Sequence, residues 1–293
     1  PHRLGNYLGY KDLDELHSEW IKYIWLAEDH NALQAHRGSY KTTSILIVGF
    51  LWWVLFHWND TVAIIRKDFT SASEVLKAIT RHLKGEKFLS LFYAIYGFEY
   101  KIITSTGAKV TLNIKASETP EGNLQAYGKD GSLTGKHFDK IICDDIITIR
   151  DRISQIERES VDNLVRELMA NIINPGHYVS FAGTPWHPKD TWRILPTPKK
   201  YDIYTTKIKA FTEKRIAEIK RDTTGVLFAA NYELKHIPSD ELIFTEPTWI
   251  TDWDTTAPSW GHIDAKYQGD HTGAFTIMAK KYDGRIQAIG FIF

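Results

Sequence analysis

A chain of 293 residues has room for one large α/β unit and a second, smaller one, and 43% hydrophobic with 25% charged residues excludes a disordered chain. Lysine plus arginine (36) equals aspartate plus glutamate (36), so no global field draws in nucleic acid and any such contact needs a local patch. The single cysteine, Cys143, rules out an intrachain disulfide, and no Cys/His cluster has zinc-site spacing, which fits a reducing compartment with the cytoplasm as default. The most apolar run, Ser44 to Trp58, is shorter than the roughly 20 residues that span a bilayer, and no signal pattern opens the chain, so no membrane association is expected.

Over 12–28, Leu13, Leu16, Trp20 and Ile24 fall at helical spacing behind a possible Asp cap. A short apolar piece, Ala32 to Ala35, then HRGSYKTT, then a long apolar helix from Thr42 to Trp58 place a Gly-containing loop between a strand and a helix. Thr61 to Lys67 reads as a buried strand, Thr70 to Leu83 as a helix, and 101–104 with 109–114 as a hairpin across Ser105-Thr106-Gly107-Ala108. The polar, Gly-rich stretch from Glu118 to Gly135 reads as a surface loop. DKIICDDII, from Asp139 to Ile147, is an apolar strand ending in two carboxylates, followed by one long helix from Asp151 to Ile173 that Asn174-Pro175-Gly176 stops. A strand from His177 to Ala182 leads into Gly183-Thr184-Pro185. Strands alternating with helices imply a mainly parallel sheet covered on both faces. Beyond residue 190 the expectation is a Pro/Lys-rich linker (RILPTPKK), helical pieces at 211–222 and 226–234 forming a small lid, and a boundary near Pro247. Three strands follow at 261–265, 273–279 and 285–293. The junction near Ile208 passes from β-like to helical with no turn signal, and the ends at Pro1 and Phe293 read as a cut chain.

A P-loop aims backbone N–H groups at phosphate oxygens at a helix N-terminus, while a lysine reaches the β/γ-phosphates and a Ser/Thr hydroxyl holds Mg²⁺. In AHRGSYKTT, Gly38, Lys41 and Thr42 stand in workable places, although both terminal glycines of the usual pattern are missing. The blander reading is a basic turn capping an apolar helix. The functional one demands a distant strand with an acidic end, which Asp144 and Asp145 supply: Asp144 for the Mg²⁺ shell, Asp145 to orient or deprotonate the attacking water. Aspartate is a methylene shorter than the glutamate usual there. Cys143 reads as a packed strand residue, and Thr184 could sense the γ-phosphate. The nucleotide-binding set is therefore His36, Arg37, Gly38, Ser39, Tyr40, Lys41, Thr42 and Thr43, with ATP and Mg²⁺ as cofactors.

The order HRGSYKTT, SLTGKHFDKIICDDI, FAGTPWH over about Leu13 to His187 resembles the ATPase domain of phage terminase large subunits. The resemblance implies a RecA-like P-loop ATPase over 1–190, a linker and lid over 191–247, and the first strands of an RNase H-like nuclease over 248–293. It implies a motor that packages double-stranded DNA in the cytoplasm of a bacterial host, with a portal protein and a small terminase subunit as partners and a homo-oligomeric ring when docked. Lys41 and Thr42 match its P-loop, Asp144 and Asp145 its acidic pair, Gly183-Thr184 its coupling motif, and Arg37 an arginine found within its P-loop that contacts the γ-phosphate. Arg150, Arg152 and Arg158 are candidates for an arginine offered to a neighbouring subunit. Lys189, Arg193, Lys199 and Lys200 form a basic cluster suited to a phosphate backbone. Asp264 matches the first metal carboxylate of the nuclease, binding Mg²⁺ or Mn²⁺, with Asp270 nearby. Alternatives of other kinds are a P-loop helicase or remodelling ATPase, and a degenerate module that binds without hydrolysing.

Two-metal cleavage needs several convergent carboxylates, and after Asp270 only Asp283 follows. Duplex DNA incubated with this chain and Mg²⁺ or Mn²⁺ is expected to stay intact on a gel; cleavage that Asp264→Ala abolishes would overturn that expectation.

Overall fold

The computed structural model of the chain describes residues 1–116, 119–236, 256–264, 274–281 and 286–292. The chain divides into two compact units, Pro1–Leu242 and Ile243–Phe293. In the first, helices α1 (His2–Leu8) and α2 (Glu15–Trp25) precede β1 (Asn31–Ala35). A π-helical turn, Thr43–Val48, leads into α3 (Gly49–Phe56), then β2 (Val62–Arg66), α4 (Phe69–Lys84), α5 (Glu86–Tyr96), β3 (Ile102–Ser105), β4 (Lys109–Leu112) and β5 (Leu124–Gly128). There follow β6 (Phe138–Asp144), α6 (Ile149–Ile153), α7 (Gln155–Glu167), β7 (Ile173–Gly183), β8 (Lys199–Tyr201), α8 (Glu213–Asp222) and α9 (Gly225–Phe228). The eight strands form one sheet in the order β3-β4-β5-β2-β6-β7-β1-β8. From β5 to β8 all neighbours are parallel, and β3 and β4 extend the edge antiparallel.

Strand alternation divides the core in two. Val62 and Ile64 of β2 and Ile142 of β6 pack with α2, α3, α4 and α5, whereas Ala63, Ile65, Ile141 and Cys143 pack on the other face with Val161, Val165 and Leu168. A parallel sheet is covered twice because its crossover helices lie on both faces, which leaves the strand side chains apolar on each. Cys143 is thus a core residue, as its place in the strand predicts.

The apolar run after β1 is helical as expected, with a π-helical start that has an identifiable cause. The indole N–H of Trp25 donates to the Ile45 carbonyl (2.8 Å), and Gly49 N–H reaches back to Ser44 and Leu46 instead. The Trp25 ring lies so close to Gly49 that a Cβ there would collide with it.

Several expectations give way. The stretch read as a surface loop, 118–135, contains β5, a buried strand between β2 and β4. LQAYG escapes an apolar count because Gln125 is buried and Gly128 must be side-chain-free: a Cβ there would lie 2.6 Å from the Phe69 nitrogen. The long helix from Asp151 breaks at Ser154, whose hydroxyl caps α7 by accepting from the Glu157 N–H (3.2 Å). Asn174-Pro175-Gly176 lies within β7, where the register with β6 shifts between Phe138 and Lys140. The Pro/Lys-rich linker supplies β8, an edge strand parallel to β1, and the junction near Ile208 is a turn-rich loop in which Thr206 N–H bonds Asp202 O and Phe211 N–H bonds Ile208 O. Helices α1 and α5 had no predicted counterpart.

The second unit contains β9 (Ser259–Asp264), β10 (Ala274–Lys280) and β11 (Ile286–Ile292), an antiparallel sheet in the order β11-β10-β9. These are the three predicted strands. Asp264 ends β9; Pro247, Asp270 and Asp283 lie outside the described residues. Among the described residues no helix is long and apolar enough to cross a membrane.

Lys140 in β6 is a buried cation 5.8 Å from the Trp53 ring, with burial pushing its ammonium down to about 8 against the pull of Asp60. Folded protein therefore binds this proton less tightly than unfolded chain. The cost of the buried charge is full below pH 8 and disappears as pH climbs past the unfolded lysine value near 10.4. Lys140→Met is expected to stabilise the protein by about 1–3 kcal/mol at pH 7, with the gain over the parent vanishing above roughly pH 10 in denaturant titrations; a gain independent of pH would refute the charge-burial cause.

Candidate active site

The loop between β1 and the π-helical turn is tied down by its backbone. His36 N–H donates to the Tyr201 carbonyl (3.1 Å) and Arg37 N–H to the Asn231 carbonyl (2.8 Å). Gly38 (φ 79°) and Tyr40 (φ 59°) are both left-handed. Glycine enters that region freely, and a Cβ at 38 would also lie 2.9 Å from the Phe211 ring. Tyrosine enters it at a cost of about 1–2 kcal/mol. Contacts offset that cost: the Tyr40 hydroxyl donates to Asp12 (3.1 Å), and its ring meets His17 edge-on at 6.1 Å. His17 in turn donates from Nε2 to the Ser39 carbonyl (3.1 Å). The glycine missing from the sequence pattern is thus missing only as a residue type, since Tyr40 has a glycine's backbone conformation.

Lys41 and Thr42 meet the acidic pair directly. Lys41 Nζ donates to Asp145 Oδ1 (2.8 Å) and Thr42 Oγ1 to Asp144 Oδ2 (2.8 Å). Arg66, at the C-terminal end of β2, donates from Nε to Asp144 Oδ2 (3.1 Å), approaches Asp145 Oδ2 at 3.9 Å, and gives Nη1 to the Ser71 carbonyl (3.2 Å). Asp144 is fully buried, whereas the Asp145 side chain is 35% exposed. Burial pushes the Asp144 carboxyl up, and the neighbouring Asp145 charge adds to that, only partly offset by Lys41, Arg66 and the Thr42 hydroxyl. Burial also acts against ionisation of Asp145, but Lys41, with Arg66 and Arg37, outweighs it and holds that carboxyl below its usual range. The pair is therefore split into one carboxylate held firmly ionised and one that awaits a further cation.

The residues present there fit a small divalent cation such as Mg²⁺. Asp144 Oδ1 is buried with no hydrogen-bond partner among the described residues, and Thr42 Oγ1 stands on the other oxygen. Among the described residues no cluster of three His, Cys, Asp or Glu side chains could hold a metal. Mg²⁺ asks for less, because it keeps several waters and takes one or two protein groups plus substrate phosphates.

These groups open into a cleft of about 790 Å³ lined by the loop from His36 to Thr43, by Arg66, Asp145 and Thr184, and by Trp186, Asn231 and Tyr232. Thr184 follows directly on β7, which pairs with β6 so that Ala182 faces Asp144; its carbonyl accepts from the Trp192 indole (3.1 Å). Arg37 and Gly38 are exposed to the cleft, while Ser39 is buried. His36 is buried, with Nε2 2.8 Å from Thr206 Oγ1 and Phe211 edge-on at 4.7 Å; burial lowers its pKa. It props the loop from behind.

Other candidates separate. Arg158 is committed to the Asp151 carbonyl (2.6 Å), while Arg150 is exposed in α6. In the expected basic cluster Arg193 is ion-paired with Asp162 and Lys199 lies 4.0 Å over the Tyr23 ring, so two of its four charges are already engaged. Arg66 was not anticipated. The signal existed in topology: in an open parallel sheet functional groups gather at the carboxyl ends of the strands, and Arg66 ends a strand that pairs with β6.

The fold is that of phage large terminases. Structures of the large terminase from a thermophilic bacteriophage match 95% of this chain and 68% of theirs at 11% identity, with TM-scores of 0.51 and 0.53 in two crystal forms. The same protein in complex with ADP matches over the same shares, also at 11% identity, with a TM-score of 0.52. The expected α/β class with a mainly parallel sheet is the one observed. No protein-family model matches the sequence, and no curated protein does.

Substitutions at Tyr40 separate backbone strain from side-chain contact. Tyr40→Phe, which deletes only the bond to Asp12, is expected to cost about 0.5–1.5 kcal/mol. Tyr40→Ala keeps the strained φ without the contacts and should cost more than Tyr40→Gly, which relieves it. Equal melting points for the Ala and Gly variants would refute the strain.

Proposed function

We propose that this chain is an Mg²⁺-dependent ATPase that drives double-stranded DNA into a viral capsid, the motor part of a terminase large subunit. The observation that carries the reading is the convergence of Lys41 and Thr42, from the loop after β1, with Asp145 and Asp144, from the end of β6 two strands away, in one cleft large enough for a nucleotide. Backbone N–H groups of the loop would cradle the phosphates at the helix start. Thr42 and Asp144 would hold Mg²⁺, which neutralises charge on the phosphate oxygens.

Asp145 orients the attacking water. Held ionised by Lys41 it is a weak base; once Lys41 turns to the phosphates, that restraint lapses and its basicity rises. Arg37, exposed beside the loop, faces the γ-phosphate, and Thr184 senses its loss. The host cytoplasm, a portal protein, a small terminase subunit and a ring of copies belong to the same proposal, as does an RNase H-like nuclease that would begin at β9 with Asp264 as its first metal carboxylate. One observation favours a second reading, a module that binds nucleotide without hydrolysing it: Asp145 is short and already tied to Lys41.

Steady-state hydrolysis of Mg·ATP with and without duplex DNA decides between them. Lys41→Ala and Asp145→Asn are each expected to lower turnover about 10²–10³-fold, with nucleotide binding kept in Asp145→Asn. Tight ATP binding by a parent protein that shows no turnover would favour the second reading.

A further inference from the structure

Away from the nucleotide cleft, a second depression of about 490 Å³ is lined by Lys77, Thr80, Arg81 and Lys84 of α4 and by Ser105, Thr106 and Gly107 at the tip of the β3–β4 hairpin. The three cations fall at spacings of four and three, on one stripe of α4, while Ala72, Val75, Leu76, Ile79 and Leu83 bury the opposite side. All three are exposed, and among the described residues none is ion-paired; Lys84 reaches only the Ser105 hydroxyl (3.4 Å). Arg81 and Lys84 suit the negative end of a helix dipole. That accounts neither for Lys77 nor for the hairpin opposite, whose Thr106 hydroxyl accepts from the Ala108 and Lys109 N–H groups (3.2 and 3.0 Å) and so sets the shape of the tip.

We propose that this stripe and hairpin tip form a docking surface for the phosphodiester backbone of double-stranded DNA, an assignment that rests on the motor reading above. From Lys77 to Lys84 the helix rises roughly 10 Å, a length that meets about three phosphates of one strand at 3.4 Å of axis each. A shallow, exposed lining with no buried charge suits an extended polyanion that slides past, whereas a single trapped phosphate would call for enclosure. Contacts of this kind position a duplex without reading its sequence. With no net charge on the chain, such a local stripe is what backbone binding requires. The expected cluster at Lys189 to Lys200 serves less well, because Arg193 and Lys199 are engaged.

The test is binding of a fluorescent blunt duplex to the whole chain across a salt series. The combined variant Lys77→Gln, Arg81→Gln, Lys84→Gln is compared with Lys11→Gln, Lys22→Gln, Lys214→Gln, which removes the same charge from dispersed exposed sites; melting midpoints check folding. Loss of about 10- to 100-fold in affinity near 0.1 M salt, with a salt slope lower by about 2–3, in the first variant alone supports the surface. Unchanged affinity and slope in that variant, with the parent binding normally, overturns the surface and leaves the motor reading standing. An equal loss in both variants, or an equal loss of binding to poly-glutamate, overturns the assignment to a duplex backbone. Failure of the parent to bind duplex at all overturns the surface together with the DNA half of the motor reading, while its ATP hydrolysis is measured separately.

Discussion

The buried carboxylate of Asp144 sets the terms for everything around it. An ionised group without water is very costly unless opposite charge and hydrogen bonds surround it, and here the groups that supply them come from separate parts of the chain: Thr42 from the loop after β1, Arg66 from the end of β2, and Lys41 through Asp145. The order of strands meets that requirement. With β2 beside β6, and β7 leading into Thr184 between β6 and β1, the carboxyl ends of four strands converge on one spot. Even so one oxygen of Asp144 stays unpartnered among the described residues, which fits the cation proposed there.

Much of this was legible in the residues themselves. IICDD could be recognised because two carboxylates at the end of an apolar strand are hard to explain by packing, and HRGSYKTT because a lysine and a hydroxyl followed by an apolar helix have a defined use. The alternation of Thr61 to Lys67 with Thr70 to Leu83 gave β2 and α4 nearly to the residue. What escaped did so for physical reasons. LQAYG is a strand by virtue of its neighbours: Gln125 and Gly128 suit only a place where a sheet and a helix crowd the backbone. The break at Ser154 is a local capping decision that helical periodicity passes over. KKY becomes an edge strand because Leu33 to Ala35 stand open beside it.

Site residues divide the same way. Lys41, Thr42, Asp144 and Asp145 announce themselves by type and order. Arg66 does not, because its importance depends on which strand lies next to β6, and that is fixed by topology alone. The reverse holds for Lys189 to Lys200, which looks like a basic patch in one dimension, whereas in three Arg193 is neutralised by Asp162 and Lys199 is held over the Tyr23 ring.

Tyr40 carries one more consequence. A glycine in that position would leave the loop to wander, so that a ligand arriving at it would have to freeze the backbone at its own expense. A tyrosine bonded to Asp12, leaning on His17, which itself holds the Ser39 carbonyl, transfers that ordering to the folding reaction. On the proposed function, a cradle ordered in this way before any phosphate reaches it would let nucleotide associate with a smaller entropic penalty and a smaller structural change than a glycine-rich loop would impose.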